Sequence, residues 1–174
     1  ACGMALKAKI DNENYRTSRN DIIYILSGEA DYFKPRFSFQ GFRYVRIDEY
    51  PHEEINVDAF SAIVVHSDLK RIGNFACGNA KINQLYHNII WGQKGNYLDI
   101  PTDCPHREKN GWTGDITLSA EQMYYNFEAT PSFKDWLTLM RETQTAEGAV
   151  PAIVPTDTWG YAWGAGMGWD TVMG

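Results

Sequence analysis

The sequence is poor in cysteine and has neither a basic run nor a long apolar stretch, and each lack excludes a class of protein. Its 174 residues include three cysteines, Cys2, Cys77 and Cys104, an odd number with no CxxC pair and no spacing typical of zinc. Such a set builds no disulfide framework. No apolar run is long enough for a transmembrane helix. A net charge of −6 without a Lys/Arg-rich run argues against nucleic acid or an anionic membrane surface as the main partner.

Hydrophobic and aromatic residues, by contrast, are plentiful. Hydrophobic residues make up 44% of the chain, which is ample for a core, and the aromatic share of 14% includes six tryptophans and ten tyrosines. Amphipathic rings fill cores and also form platforms for carbohydrate. The composition therefore leaves both uses open.

The N-terminal third has the pattern of strands. Between Tyr32 and Ile47 apolar and polar residues alternate with period two, interrupted at Gly41, and a second strand is predicted from Phe60 to Ser67. This alternation indicates half-buried antiparallel strands, and the glycine indicates a bulge or turn. We therefore predict an all-β unit in this part of the chain.

The remainder has the pattern of helices. Apolar residues recur at helical spacing over residues 79–97 and again over residues 116–127. A third helix is predicted from Thr130, as the N-cap before a proline, to a stop at Gly148. The Gly-, Pro- and Trp-rich end predicts a loop before a fourth helix. The apolar face of the first helix is predicted to consist of Ile82, Leu85, Tyr86 and Ile89. Strands followed by helices imply two architectural units.

A charged loop from Ile100 to Asp115, IPTDCPHREKNGWTGD, concentrates the candidate chemistry. Prolines and glycines punctuate it, so we expect irregular backbone and neither helix nor strand. Its carboxylates, cations and tryptophan suit a polar ligand with one flat apolar face, such as a sugar ring. Hydrolysis of a glycosidic bond needs a carboxylic acid and a second carboxylate. Glu108 is the strongest candidate for the acid, because neighbouring carboxylates favour its neutral form, although Arg107 and Lys109 oppose this.

Other uses of the charged loop fit its residues less well. Cys104, His106 and the acids are ligand types, but their spacing matches no zinc or calcium pattern, and Arg107 and Lys109 would repel a cation. We therefore expect no metal and no cofactor. A nucleophilic pair of Cys104 and His106 is disfavoured, because residues two apart around a proline seldom align for proton transfer. Two interpretations without a binding role also remain open: the loop is a solvated charged loop, and Trp112 packs in the core.

At the charged loop the sequence resembles the inverting bacterial α-L-rhamnosidases of glycoside hydrolase family 78, which commonly read PTDCPxRE followed by GWxGD. FSFQGFRYVRI is similar to a strand of that family, and FACGNAKINQLYHNIIWGQKGNYLDIPTDCP to its first barrel helix and the approach to the site. The resemblance spans most of residues 36–170. It implies the C-terminal part of an antiparallel β-sandwich over residues 1–70, followed by the first helices of an (α/α)6 six-hairpin toroid over residues 71–174.

The resemblance also implies roles for single residues. Glu108 matches the general acid of the family, which protonates the departing glycosidic oxygen. Asp103 and Asp115 match aspartates that bind rhamnose hydroxyls, and Arg107 matches an arginine that supports them. Trp112 and Trp169 match tryptophans that form the apolar wall of the sugar site. The chain departs from the family pattern at His106 and at Lys109 and Asn110.

The function that the resemblance implies is inverting hydrolysis of terminal α-L-rhamnose from rhamnose-containing oligosaccharides or glycosides. The general base of the family is a downstream glutamate without a counterpart in this sequence. We therefore expect the 174 residues alone to be inactive, and the remainder of the same polypeptide to complete the site. Two alternatives stay open: a non-hydrolytic carbohydrate-binding module and a different toroid-fold carbohydrate-active enzyme.

Overall fold

The computed structural model describes residues 13–29 and 31–163. Trp169 lies outside the described residues, as does the end of the chain, where the sequence predicts a fourth helix. Within the described ranges, no helix combines the length and apolarity needed to cross a membrane.

Three α-helices and one small hairpin carry the candidate site. The helices are α1 (Ala80–Gly95), α2 (Thr113–Asn126) and α3 (Thr130–Glu142). Strands β1 (Tyr97–Leu98) and β2 (Ile100–Pro101) pair antiparallel directly after α1, with Tyr97 opposite Pro101. Short 3-10 helices occur at Glu13–Tyr15, Val57–Ala59 and Trp159–Trp163.

The ends of the helices confirm some local predictions and correct others. Asn79 caps α1, because its side chain accepts a hydrogen bond from the backbone N–H of Lys81 at 3.0 Å. Helix α3 has Ala129, and not Thr130, at its N-cap. It also ends at Glu142, before the predicted stop, since Gly148 closes a separate turn by donating its N–H to Thr145 O at 2.9 Å.

The hydrophobic core lies where the three helices and the segment 150–154 meet. Its buried residues are Ile90, Tyr97, Ile116, Met123, Phe127, Ala129, Phe133, Trp136, Met140, Val150 and Val154. The predicted apolar face of α1 is wrong in part, because Ile82 and Leu85 are 45% and 57% exposed. The buried residues of α1 are Ile90 and Gln93, in its C-terminal half next to β1. Tyr86 packs against the core as a partly buried residue, so the fully buried contacts of α1 in the described part of the chain come from its C-terminal half.

The two N-terminal segments predicted as strands differ from expectation. Residues 32–47 and 60–67 form no strand within the described ranges. Tyr44 and Val64, one from each segment, are 66% and 62% exposed. A strand needs a hydrogen-bonded neighbour and a covered face, and alternation in sequence supplies neither. Gly41 is therefore not a bulge here; it lies against the charged loop.

Candidate functional site

The charged loop connects β2 to α2. Its middle is irregular, as predicted, and closes on itself: Asp103 donates its N–H to Asn110 O at 3.0 Å, and Asn110 donates its N–H to Asp103 Oδ1 at 3.0 Å. The two ends of the loop correct the prediction. Pro101 belongs to β2, and Asp115 lies in the first turn of α2.

The segment 152–154 holds the C-terminal end of the charged loop. Val154 donates its N–H to Gly111 O at 2.9 Å, and Thr113 donates its N–H to Ala152 O at 3.0 Å. A side chain at Gly111 would overlap Val154 O, so only glycine permits this close approach. Trp112, between these two contacts, is thereby fixed at the entrance to α2.

Glu108, the predicted general acid, is a half-buried carboxylate held by donors from separate parts of the chain. Its Oε2 accepts a hydrogen bond from Trp112 Nε1 at 3.0 Å. Its Oε1 lies 3.4 Å from Arg107 Nη2 and 3.4 Å from Arg16 Nη1. Charge-assisted contacts of this kind fix the orientation of a carboxylate. Arg107 thus contacts the predicted acid and not the aspartates that it was expected to support, and Arg16 is a partner that no local sequence pattern predicts.

Cys104 links two of the predicted acids. Its Sγ donates a hydrogen bond to Asp103 Oδ2 at 3.0 Å and accepts one from the backbone N–H of Glu108 at 3.2 Å. The residue types around Cys104 suggest only a metal ligand or a nucleophile, so this linking role was not predicted. No group of three or more His, Cys, Asp and Glu residues in the described part of the chain is arranged to hold a metal ion.

A cavity of about 310 Å³ opens between α1, α2 and the charged loop. Asp103, Trp112 and Asp115 line it, so the structure brings these predicted sugar ligands together. Glu108 does not line the cavity, but it contacts Trp112, which does. The other polar side chains of the lining, which the sequence analysis missed, are Gln93, Asn96, Thr102, Ser119 and Gln122.

Two of these missed residues carry unpartnered polar atoms. Gln93 is 8% exposed, and its Nε2 has no hydrogen-bond partner in the described part of the chain. Asn96 Oδ1 is buried and unpartnered there as well. Buried polar groups are normally hydrogen-bonded, so these two atoms of cavity-lining residues are exceptions in the described part of the chain.

Asp115 is a predicted sugar ligand whose carboxyl pKa is raised. Desolvation raises the pKa of its carboxyl, and the nearby carboxylates of Asp103 and Glu108 raise it further. Like charges that share a site disfavour the ionised form. The Asp115 carboxyl therefore ionises less readily than that of an ordinary aspartate.

Trp112 belongs to an aromatic cluster with Trp159 and Trp163. The Trp112 ring lies 5.8 Å, centroid to centroid, from each of the other two, and those two lie 5.6 Å apart in edge-on geometry. Trp159 and Trp163 are 46% and 58% exposed. The cluster is therefore an open apolar surface beside Glu108. The sequence analysis assigns Trp112 to an apolar wall, whereas Trp159 and Trp163 are indicated only by the tryptophan-rich composition of their segment.

Sequence profiles of known domains match nearly the whole chain. The profile of the bacterial alpha-L-rhamnosidase 6 hairpin glycosidase domain matches residues 70–174. The profile of the bacterial alpha-L-rhamnosidase concanavalin-like domain matches residues 3–66.

Curated relatives carry the same name. An alpha-L-rhamnosidase of Alteromonas sp. (strain LOR) is 38% identical over 157 residues, which are 88% of this chain and 17% of the relative. One of Formosa agariphila is 35% identical over 146 residues, which are 82% of this chain and 16% of the relative. The chain thus spans less than a fifth of the length of these relatives.

Solved structures of the same kind resemble the fold. The alpha-L-rhamnosidase from Dictyoglumus thermophilum has a TM-score of 0.58 at 36% identity, over 62% of this chain and 12% of that one. The Streptomyces avermitilis alpha-L-rhamnosidase complexed with L-rhamnose has a TM-score of 0.52 at 38% identity, over 53% of this chain and 9% of that one. Because one profile covers more than half of its residues, the chain belongs to the bacterial α-L-rhamnosidases with a six-hairpin glycosidase domain.

Proposed function

We propose that a full-length protein carrying this chain hydrolyses terminal α-L-rhamnose residues from α-L-rhamnosides with inversion at the anomeric carbon. The observation that carries the proposal is the charged loop, where Glu108 is held beside Trp112 and where Asp103, Trp112 and Asp115 line one cavity. Family membership supports the choice of sugar, since one related structure is a complex with L-rhamnose.

In the proposed reaction Glu108 is the general acid. It gives its proton to the glycosidic oxygen as the bond from that oxygen to the anomeric carbon breaks. A second carboxylate takes a proton from water, which attacks the anomeric carbon from the opposite face. We propose that a part of the polypeptide outside these 174 residues supplies this base, so that the 174 residues alone do not turn over substrate.

The other predicted residues bind the sugar. Asp103 and Asp115 accept hydrogen bonds from rhamnose hydroxyls. Both oxygens of Asp103 already accept bonds within the charged loop, but a carboxylate has about four lone-pair sites and can accept more. Arg107, which the resemblance implies as the support of these aspartates, contacts Glu108. Trp112 faces the C6 methyl of the deoxy sugar. Trp169 is proposed, from the resemblance alone, as a further part of that wall.

We also propose a division into two domains at about residue 70. Residues 1–70 would be the end of a β-sandwich, and residues 71–174 the first helices of an (α/α)6 toroid. Support comes from the two profile matches, which meet between residues 66 and 70. The helices α1, α2 and α3 all lie on the C-terminal side of that point.

The test is Glu108→Gln in the full-length protein, with aryl α-L-rhamnosides of good and poor leaving groups as substrates. Loss of the acid should lower kcat about 10²- to 10⁴-fold on poor leaving groups and much less on good ones, while calorimetry still detects rhamnose binding. Glu142→Gln, an exposed residue at the end of α3, is the matched control. Proton NMR of the first product reports inversion.

Several outcomes contradict the proposal. Unchanged turnover by Glu108→Gln would remove the general acid. Rhamnose binding without hydrolysis by the wild-type protein would favour a carbohydrate-binding module. Appreciable hydrolysis of an aryl α-L-rhamnoside by the isolated 174 residues would show that the base lies within them.

A further inference from the structure

The charged loop is contacted by residues far earlier in the chain. We call Asn14, Tyr15, Arg16, Phe39, Gln40 and Gly41 the N-terminal contact residues; all lie in the region that the concanavalin-like profile matches. They lie against residues 105–109 of the charged loop, the part that carries Glu108.

Residues 39–41 hold both ends of this part of the loop. Gly41 donates its N–H to Pro105 O at 2.9 Å. Lys109 donates from Nζ to Phe39 O at 2.6 Å and to Gln40 Oε1 at 3.4 Å, and its ammonium lies 4.9 Å from the centre of the Phe39 ring. Glu108 is thereby held between two attachment points.

The fit at Gly41 is close. A Cβ built there would lie 2.9 Å from the carbonyl carbon and from Cγ of Pro105, and 3.1 Å from Cβ of His106. The backbone at Gly41 is not left-handed, so turn geometry does not demand glycine. The requirement for glycine comes from the approach of the charged loop.

The side chain of Lys109 is held in its contact with Phe39 and Gln40. Desolvation lowers the pKa of its ammonium group, which is consistent with a side chain placed against Phe39 and not in open solvent. Its backbone is left-handed, with φ of 54°, a conformation that is uncommon for lysine. Such a conformation persists only where surrounding contacts over-determine it.

Residues 14–16 contact the side chains between those two points. Arg107 donates from Nη1 to Asn14 O at 3.0 Å, and the His106 ring lies edge-on 5.7 Å from that of Tyr15. Arg16 Nη1 lies 3.4 Å from Glu108 Oε1. Arg16 thus touches the same carboxylate oxygen as Arg107 does.

We propose that the N-terminal contact residues position the charged loop for catalysis, so that the region matching the concanavalin-like domain acts directly on the rhamnosidase site. The inference rests on the proposed function of Glu108 as general acid. Proton transfer in a transition state requires the acid at a defined distance and angle, and a displacement of about 1 Å can cost about 10²-fold in rate. Gly41 and Arg16 are positioning residues in this scheme, since neither touches the reacting atoms.

The first test is Gly41→Ala in the full-length protein, with Gly78→Ala as the matched control, because a Cβ at Gly78 meets no atom within 4 Å. The added methyl should displace Pro105 and His106. We expect kcat on poor leaving groups to fall about 10- to 100-fold, kcat on good leaving groups and KM to change much less, and amide hydrogen exchange over residues 103–110 to accelerate. Gly78→Ala should leave all four quantities unchanged.

The second test uses Arg16, whose side chain is 67% exposed, so that its substitution should leave the fold intact. Arg16→Gln should lower kcat on poor leaving groups about 2- to 5-fold, the range of an exposed ion pair, and Arg16→Lys should restore part of the loss. Arg46→Gln, which breaks an exposed pair with Asp48 at 2.9 Å, is the control. If Gly41→Ala does not fold, the kinetics of the Arg16 variants test the proposal by themselves.

The outcomes separate this proposal from the one on which it rests. A wild-type protein without rhamnosidase activity refutes the proposed function, and the exchange measurement then decides whether the contact residues hold the loop. Unchanged exchange and kinetics in the Gly41 and Arg16 variants overturn the inference. Equal losses on good and poor leaving groups overturn it too, because they indicate a structural role without an effect on the acid.

Discussion

Trp112 Nε1 donates a hydrogen bond to Glu108 Oε2 at 3.0 Å, which joins the proposed apolar wall of the sugar site to its proposed acid. One residue thus has two separable roles, because the indole ring offers an apolar face and its N–H holds the carboxylate. Position 112 is also the N-cap of α2, where its side chain makes no capping bond, so substitution there should leave the helix start intact.

Replacing Trp112 by Phe tests the two roles. Phenylalanine keeps an apolar ring and removes the donor, so we expect kcat to fall while KM for aryl α-L-rhamnosides changes little. A hydrogen bond to a charged group contributes about 1.5–3 kcal/mol, which corresponds to a loss of roughly 10- to 150-fold. Trp91→Phe, at a 44% exposed position on α1, is the control. A large rise in KM with unchanged kcat would instead assign Trp112 to substrate binding alone.

Asp115 should make stability depend on pH in a defined direction. Because its folded-state pKa is raised by desolvation and by the charges of Asp103 and Glu108, its contribution to stability is fully present below the unfolded pKa and is lost as pH rises through the raised value. Asp115→Asn should therefore melt at a higher temperature than wild type at pH 7, and the difference should vanish below about pH 3.9, the ordinary value for aspartate.

Differential scanning calorimetry of the full-length protein over this pH range makes the measurement. Asp48→Asn is the control, because Asp48 pairs only with exposed Arg46 among the described contacts and should bring no gain at pH 7. The same Asp115→Asn variant should lose rhamnosidase activity if Asp115 binds the sugar. A melting temperature for Asp115→Asn below that of wild type at pH 7 would contradict the repulsion among the carboxylates.

Cys104 should matter for activity without being a nucleophile. Cys104→Ala removes the link between Asp103 and the backbone of Glu108, whereas Cys104→Ser keeps a donor and an acceptor. We expect kcat/KM to fall about 2- to 12-fold for alanine, the range for one hydrogen bond of 0.5–1.5 kcal/mol, and less for serine. Cys77→Ala, at an exposed cysteine outside the site, is the control. Complete inactivation by serine would point to thiol chemistry instead.

The helices could be predicted from sequence because their pattern is local. Four apolar residues at helical spacing predict the inward face of α3, namely Phe133, Trp136, Leu137 and Met140; the structure buries all of them except Leu137, which is partly buried against the core. Burial on α1 could not be predicted as well, since Ile82 has the right spacing but no neighbour covers it in the described part of the chain. Periodicity shows which residues share a face, and packing decides whether that face is buried.

The alternating pattern of the N-terminal segments shows more strongly that a sequence pattern alone does not decide how a segment packs. Alternation predicted strands over residues 32–47, yet a strand exists only with a hydrogen-bonded partner, and the described structure supplies none there. The interruption at Gly41 was a real signal with a different cause. Glycine is required there by the approach of Pro105, a residue that no local pattern associates with it.

The sequence by itself determined the chemical groups of the charged loop, its irregular course and the family, because these depend on residue types in a short, continuous order. Only the tertiary structure decided which groups meet. Arg16 reaches Glu108 across 92 positions and Lys109 reaches Phe39 across 70, so neither contact leaves a trace in local spacing. The physical reason is that hydrogen bonds and burial depend on proximity in space, which the fold creates between segments that are remote along the chain.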